Sequence, residues 1–509
     1  MEHTSIEVRN LTIDDYQQLK ESMIQAYASM GGQYWKEASL ARLISVFPDG
    51  QICIVIDGKV VGCALSLIVN YDRFSDNHTY QQITGNYTFD THDSTGDTLY
   101  GIELFIHPDS RGMRLARRLY EARKTLCERL NLVAIMAGGR IPNYKNYAAE
   151  MTPRAYIDKV KTREIHDSTL SFQLANDFAI KRVIQKYLPE DSESKGYATL
   201  LVWYNVYYEP ERNHMKIKKD YCRIGLIQWQ MRPYNTLEEL LEHVEYFVDA
   251  ISDYKSDFAV LPELFNAPLM GAFNHLPGHE AIKELAQFTK PLVAALSKIA
   301  ISYNVNIIGG SMPELIDGVL YNSSYFLHRN GKIDSYQKIH PTPSEEYEWG
   351  MKGGNKLQII ESDMGKVGVL VCYDVEFPEL GRLLADEGMQ ILFVPFLTDT
   401  QNSYNRVRIC AQARAVENEC YVAIAGCVGN LPKVHNMDLQ FAQSAVFTPS
   451  DFAFPVNAIK AEASPNTETI LVSDVDLSLL KDLHEYGGVT NLKDRRHDLY
   501  DLRLRKKQS

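Results

Sequence analysis

The chain has 509 residues, 45% of them hydrophobic and 23% charged, with a formal net charge of -12. That length exceeds one ordinary core and implies two or three domains. The acidic balance argues against a global nucleic-acid role, leaving room only for a local basic patch.

No uninterrupted apolar run approaches ~18 residues, so no membrane span is expected. The run Met1–Arg9 lacks a basic segment followed by an apolar one, so no signal peptide is expected. None of the eight cysteines forms a Cys-x-x-Cys pair, which argues against zinc and dithiol redox chemistry. They read as reduced thiols of a cytoplasmic protein.

The first half opens with a strand, Ile6–Arg9, and a helix starting near Thr12–Asp15. Ile52–Ile56 and Lys59–Val69 form a hairpin turning at Asp57-Gly58, a type I′ signal. A strand at Tyr100–His107, a loop at Pro108–Gly112 and an amphipathic helix to about Leu130 follow. A strand at Gly196–Tyr207 closes this half. A charged, proline-containing break near 208–221 marks the boundary.

Beyond it, strands are expected at Arg223–Trp229, Phe258–Leu261, Asn306–Gly309, Tyr321–Leu327, Ser335–Ile339, Lys366–Val371, Ile391–Val394, Tyr421–Ala425 and Ile470–Val475. Helices are expected at Thr236–Ser252, His279–Ser302, Pro378–Glu387 and Asn405–Asn418. A hairpin turns at Asn330-Gly331. This is a layered α/β domain with a mixed sheet.

Three strand ends carry reactive side chains. Phe258–Leu261 runs into Pro262-Glu263. The hairpin strand after Asn330-Gly331 delivers Lys338. The buried run Val367–Val371, which reads as a parallel strand, ends at Cys372, and a helix opens at Pro378. Taken singly, Cys372 reads as an inert buried thiol, Glu263 as a helix N-terminal carboxylate and Lys338 as a solvated lysine. Together they are chemically complete. A thiol needs a base, and a carboxylate serves if burial and a nearby anion raise its pKa. Attack on an amide carbonyl creates an oxyanion, for which Lys338 and a backbone N–H just after the thiol are donors.

Leu261-Pro-Glu263, Gln337-Lys338-Ile-His-Pro and Val371-Cys372-Tyr-Asp, with the block Gln412–Val422, resemble the nitrilase (carbon–nitrogen hydrolase) superfamily from about Arg223 to Leu502. The resemblance implies an αββα sandwich and a Glu263–Lys338–Cys372 triad, with the Tyr373 N–H as an oxyanion donor. It also implies a second glutamate, Glu345, with Glu346 as the alternative. Tyr373-Asp374, where nitrile hydrolases carry Trp-Glu, resembles the amidase branches and implies a small amide substrate. Arg406 and Arg408 are either pocket-rim groups for a substrate carboxylate or helix-surface arginines. The tail 486–509 resembles the arm that family members use in dimer contacts, which implies a homodimer or larger homo-oligomer.

In the first half, Leu99–Tyr120 reads as a strand, a loop with potential N–H donors around Arg111, Gly112 and Arg114, and a helix whose N-terminus suits a pyrophosphate. This resembles motif A of the GNAT acetyltransferases, and the likeness covers about residues 5–207. It implies acetyl-CoA as co-substrate or ligand, held by Leu104, Ile106, Arg111, Gly112, Arg114 and Ala116. Arg114 stands where a glycine is usual, and Asp177 departs from the common Asn-Gly-Phe. Glu103 is a candidate base, and Tyr187, taken as a helix-end residue, a candidate acid.

The expected architecture is therefore α/β throughout. A GNAT-like mixed-sheet domain (1–210) and a linker (211–221) precede a nitrilase-like αββα domain (222–485) and an oligomerisation arm (486–509). The expected function is a metal-free thiol amidohydrolase joined to an acyl-CoA-binding domain. Two alternatives remain open: acyl transfer from the thioester to an amine, and a GNAT-like domain that only senses CoA.

Overall fold

Runs rich in Val, Ile and Leu become the strands of two separate sheets. The computed structural model describes residues 5–74, 76–209, 221–432, 434 and 437–505. The chain divides into two units, Glu2–Lys218 and Lys219–Ser509. The expected linker, 211–221, lies outside the described residues except for Tyr221, which opens a strand. Among the described residues, no helix is long and apolar enough to cross a membrane.

The first unit holds a seven-stranded sheet. Its order is Ile6–Asn10, Gln51–Ile56, Lys59–Val69, Thr98–Ile106, Ala134–Arg140, Ala198–Tyr204 and Ala179–Ile184. The hairpin turns through Asp57 and Gly58 at φ 48° and 78°, as a type I′ turn demands. Thr98–Ile106 and Ala134–Arg140 pair in parallel only from Thr98/Ala134 to Gly101/Ala137. Beyond that point this ladder stops. Ala179–Ile184 has no counterpart in the sequence reading, because this edge strand carries Lys181 and Arg182 and is mostly exposed, as edge strands often are.

The second unit carries twelve connected strands, nine of them on one path and three branching from it. One half contains Tyr221–Met231, Phe258–Glu263, Asn306–Ile316, Val319–Leu327, Ile333–Gln337 and Thr469–Asp476. The other contains Ile360–Ser362, Gly365–Val369, Ile391–Phe396, Tyr421–Gly429, Ala445–Phe447 and Ile459–Glu462. They join where Trp229–Met231 pairs with Cys427–Gly429. Between them lies a core in which Phe258 meets Phe393 at 5.0 Å. Helices Leu237–Asp253 and Thr289–Tyr303 cover the outer face of the first half, and Pro378–Asp386 and Gln401–Glu417 that of the second. The layers run helix, sheet, sheet, helix, which is an αββα sandwich.

Three short strands, Ile360–Ser362, Ala445–Phe447 and Ile459–Glu462, have no counterpart in the sequence reading, and two of the expected elements take a different form. The single helix read over His279–Ser302 is two, Gly278–Leu285 and Thr289–Tyr303, with a tight turn at Ala286–Phe288. Pro291 explains the break, since its ring lacks an N–H and crowds the preceding turn. The strand before Cys372 ends at Val369 and is not wholly parallel: it pairs in parallel with Ile391–Phe393 and antiparallel with Ile360–Ser362.

Candidate active site

In the second unit, strand Phe258–Glu263 ends in a carboxylate because the chain turns at Leu264, φ 48°. Lys338 follows strand Ile333–Gln337, its backbone N–H donating to Asn322 O at 2.9 Å. Cys372 begins a short helical turn, Cys372–Glu376, at φ 48°. This left-handed backbone costs a non-glycine residue about 1–3 kcal/mol and recurs where function dictates geometry.

These ends converge. The Lys338 ammonium donates to Glu263 Oε1 at 2.8 Å and to Glu345 Oε2 at 2.6 Å. Asn322 Nδ2 donates to both carboxylates, at 3.0 and 2.7 Å. The Leu397 backbone bridges the remaining pair: its N–H reaches Glu263 Oε2 at 3.0 Å, and its carbonyl faces the Cys372 thiol at 3.6 Å. Glu263, Lys338, Glu345 and Cys372 are all 5% exposed or less.

Burial decides the electrostatics. It pushes Glu263 up, Lys338 pulls against it, and the Glu345 charge adds to the rise, so Glu263 lies above the ordinary carboxylate range. Burial also pushes on Glu345, but Lys338, the Thr342 N–H and Asn322 hold it below that range. Burial would discharge Lys338, yet the two carboxylates keep it protonated well above its usual value. Burial and Glu263 push the Cys372 thiol well up, with Lys338 opposing. Two carboxylates around one lysine are thus driven apart, one fixed as an anion and the other suited to carrying a proton.

A second clamp sets the frame. Asp374, fully buried, accepts from Tyr336 Oη at 2.7 Å, Ile339 N at 3.1 Å, and both N and Nδ1 of His340 at 2.8 Å. The His340 ring stacks on Phe377 at 3.6 Å. The segment bearing Lys338 is therefore pinned to the turn bearing Cys372.

The first unit holds a second candidate site. Where the Thr98–Ile106 ladder with Ala134–Arg140 stops, Leu104 and Ile106 lie beyond the last pair. The following loop places Gly112 at φ 90°, where an added Cβ would meet nothing within 4 Å. Arg114 takes φ 52° at the N-cap of helix Leu115–Arg129, so it adopts the left-handed conformation a glycine would supply. Ala116 lies in the first turn of that helix. A parted strand pair, an open loop and a helix N-terminus fit a long ligand with a phosphate group. Asp177 also takes a left-handed φ, 65°, and pairs with buried Lys124 at 2.9 Å. Partly buried Glu103 accepts from Tyr27 Oη and, at 3.2 Å, from Trp35 Nε1.

Residues 223–485 match the protein-family model for carbon-nitrogen hydrolases. The chain belongs to that family. Residues 16–149 match the acetyltransferase (GNAT) family, so a GNAT domain precedes the carbon–nitrogen hydrolase domain. The whole carbon–nitrogen hydrolase is 42% identical over 500 residues to "Probable hydrolase YhcX" of Bacillus subtilis, covering 98% of this chain and 97% of that protein. Its GNAT part is 32% identical over 207 residues to "Uncharacterized N-acetyltransferase YkwB" of the same organism, covering 40% and 91%. Its hydrolase part is 26% identical over 293 residues to "Omega-amidase NIT2" of Xenopus tropicalis, covering 56% and 98%. Among solved structures, Saccharomyces cerevisiae Nit3, described as a member of branch 10 of the nitrilase superfamily, aligns with a TM-score of 0.45 at 26% identity, covering 54% and 97%.

Within this carbon–nitrogen hydrolase, the structure separates neighbours that the sequence left together. Glu345 enters the cluster, while Glu346 is exposed. Thr342-Pro-Ser-Glu345 is a capping box, with Thr342 N donating to Glu345 Oε2 at 2.7 Å and Glu345 N to Thr342 Oγ1 at 3.3 Å. That pattern points Glu345 back along its helix, and it is readable in the sequence. Tyr373 sits in the first helical turn, where N–H groups lack intrahelical acceptors. Arg408 is engaged by Glu462, by Tyr404 Oη at 3.1 Å and by the Phe447 ring, whereas Arg406 is largely exposed beside Glu376. Tyr187 is not at a helix end. It lies in the loop after the unanticipated strand, buried, with its hydroxyl 3.0 Å from that of Tyr100. Asn322 was missed, and its only signal is a polar residue inside a strand.

Segment 486–505 lies against its own unit, through Asn491 on Val416 O at 3.3 Å and Arg495 on Asp386.

Proposed function

We propose that the hydrolase domain cleaves a small amide through a thioester on Cys372. Glu263 takes the thiol proton, and the thiolate attacks the carbonyl carbon. Lys338 and the Tyr373 N–H face the oxyanion. Glu263 then passes its proton to the departing nitrogen as the C–N bond breaks. A water replaces the amine and gives a proton to Glu263, and its oxygen attacks the thioester. The acid leaves and the Cys372 thiol is restored. Glu345 stays ionised, holding Lys338 charged and raising Glu263. Relatives named omega-amidase support an amide substrate.

The observation that carries this reading is one buried ammonium shared by two carboxylates, with a thiol joined to one of them through the backbone of a single residue, Leu397. Ammonia release from a panel of primary amides by Cys372→Ala tests it. Loss of all turnover is expected, and unchanged turnover sinks the assignment.

The GNAT domain supports a second activity, acetyl transfer from acetyl-CoA to an amine. Leu104 and Ile106 would flank the pantetheine arm, and the loop at Arg111, Gly112 and Arg114, with Ala116, would hold the pyrophosphate. Arg114 supports rather than contradicts this, because it takes the conformation of the glycine it replaces. CoA release with an amine panel tests transfer, and calorimetry with acetyl-CoA tests binding. Segment 486–509 is proposed to join copies of the chain, which sedimentation of a truncated chain would check.

A further inference from the structure

Past the turn at Leu264, the segment that carries Glu263 brings in Asn266, which is fully buried. Neither its Oδ1 nor its Nδ2 has a hydrogen-bond partner. Among the described residues it is the one buried amide side chain with both polar atoms unpaired. The usual structural reasons for an asparagine are absent. Asn266 stands at the N-cap of the short helical turn Ala267–Phe273, but its side chain makes no capping bond. Its φ of -88° is ordinary, so no left-handed backbone calls for this residue. Buried polar groups are nearly always paired, and an unpaired one destabilises the fold.

A second unpaired group lies on the segment of the other carboxylate. Trp349, just beyond the helix that carries Glu345, is buried with its Nε1–H unpaired. Met351 N donates to Glu345 O at 2.9 Å, which folds this segment back toward the carboxylate. Lys338 ties Glu263 to Glu345, so the segments bearing Asn266 and Trp349 converge on one centre. Phe265 and Ala267, on either side of Asn266, belong to the same apolar cluster as Trp349, Met270 and Met351. Methionine side chains repack readily, which lets a ligand group enter between the two unpaired residues.

The chemistry of the unpaired atoms selects the ligand. An asparagine amide presents donors and acceptors side by side, and an indole presents a donor only. A carboxamide complements both. A carboxylate has no N–H to give and would oppose Oδ1. Arg406 and Arg408, the candidate partners for a substrate carboxylate, each already face a carboxylate, Glu376 and Glu462. The scissile amide is met by Cys372, Lys338 and Glu263. We infer that Asn266, assisted by Trp349, binds a second, neutral carboxamide on the substrate, so that the hydrolase domain prefers a diamide to an amide bearing a carboxylate. The inference rests on the thioester reading and names its substrate class.

Glutaramide, glutaramate and pentanamide share one chain length and differ only in the far group, so their kinetics with the full chain test the inference. The kcat/KM for glutaramide is expected to exceed the other two about ten-fold or more, mainly through KM. Asn266→Leu, which is close to isosteric, should cut that ratio to about two-fold, the statistical advantage of a symmetric diamide, while the thermal midpoint holds or rises because an unpaired buried polar group is gone. A merely structural asparagine predicts the reverse, a lower midpoint with the ratio intact. Trp349→Phe keeps the ring, removes the N–H and should shrink the ratio about three-fold or more. Calorimetry of the three compounds on Cys372→Ala gives their order of binding without chemistry. Similar affinity for all three, or a ratio unmoved by both variants, overturns the inference. Glutaramide-selective binding with no turnover by the unaltered chain keeps the inference and removes the thioester reading, whereas Cys372-dependent turnover without discrimination removes the inference and keeps that reading.

Discussion

Asp374, two residues after Cys372, accepts hydrogen bonds from both the backbone N–H and the imidazole of His340, two residues after Lys338. The thiol and the lysine come from distant parts of the chain, and this pair, with Tyr336 and Ile339, holds them in one frame. Asp374→Ala should lower kcat about 100-fold, since an ångström of misplacement costs that much, while KM moves less. Tyr336→Phe removes one bond to a buried charge and should cost about 1.5–3 kcal/mol in stability. Steady-state kinetics and denaturant melts separate the two effects.

The paired carboxylates make the acid limb of kcat/KM a readout of Glu263. The Glu345 charge is one cause of the raised Glu263 pKa, so Glu345→Gln should move that limb to lower pH while reducing kcat about 10- to 100-fold. A limb that stays in place or rises would show that another group sets it.

Asn322→Ala should act in the opposite direction. It removes a donor from the Glu263 carboxylate, and a lost donor disfavours the charged form. The acid limb should therefore move to higher pH. A pH–rate profile on one amide, run beside Glu345→Gln, gives the contrast.

In the GNAT domain, Gly112→Val forces a β-branched residue to φ near 90°. The strain of about 1–3 kcal/mol should reshape the loop and weaken acetyl-CoA binding. Arg114→Gly supplies the residue that its left-handed backbone suits and should preserve fold and binding. Calorimetry with acetyl-CoA and a thermal melt check both variants.

The strand ends at Glu263 and Cys372 were legible because buried apolar runs stop there abruptly, and the lysine because a clear Asn-Gly turn precedes its strand. Asn322 was not legible. Its role comes from two strands laid side by side, and no local spacing encodes that. The strand Ala179–Ile184 escaped because its exposed face replaces the apolar pattern with charge. Cys372 looked like the tip of a strand, yet it begins a helical turn at a positive φ that no side-chain pattern announces.

The burial of Cys372 has a consequence for chemical labelling. All eight cysteines are free thiols, and Cys410 alone is only half-buried while the other seven are buried. A bulky maleimide applied to the folded protein should therefore mark Cys410 and spare Cys372. A small acylating or alkylating amide mimic should mark Cys372 instead. Conventional thiol counting would point to the wrong cysteine, and only a probe shaped like the substrate would find the buried one.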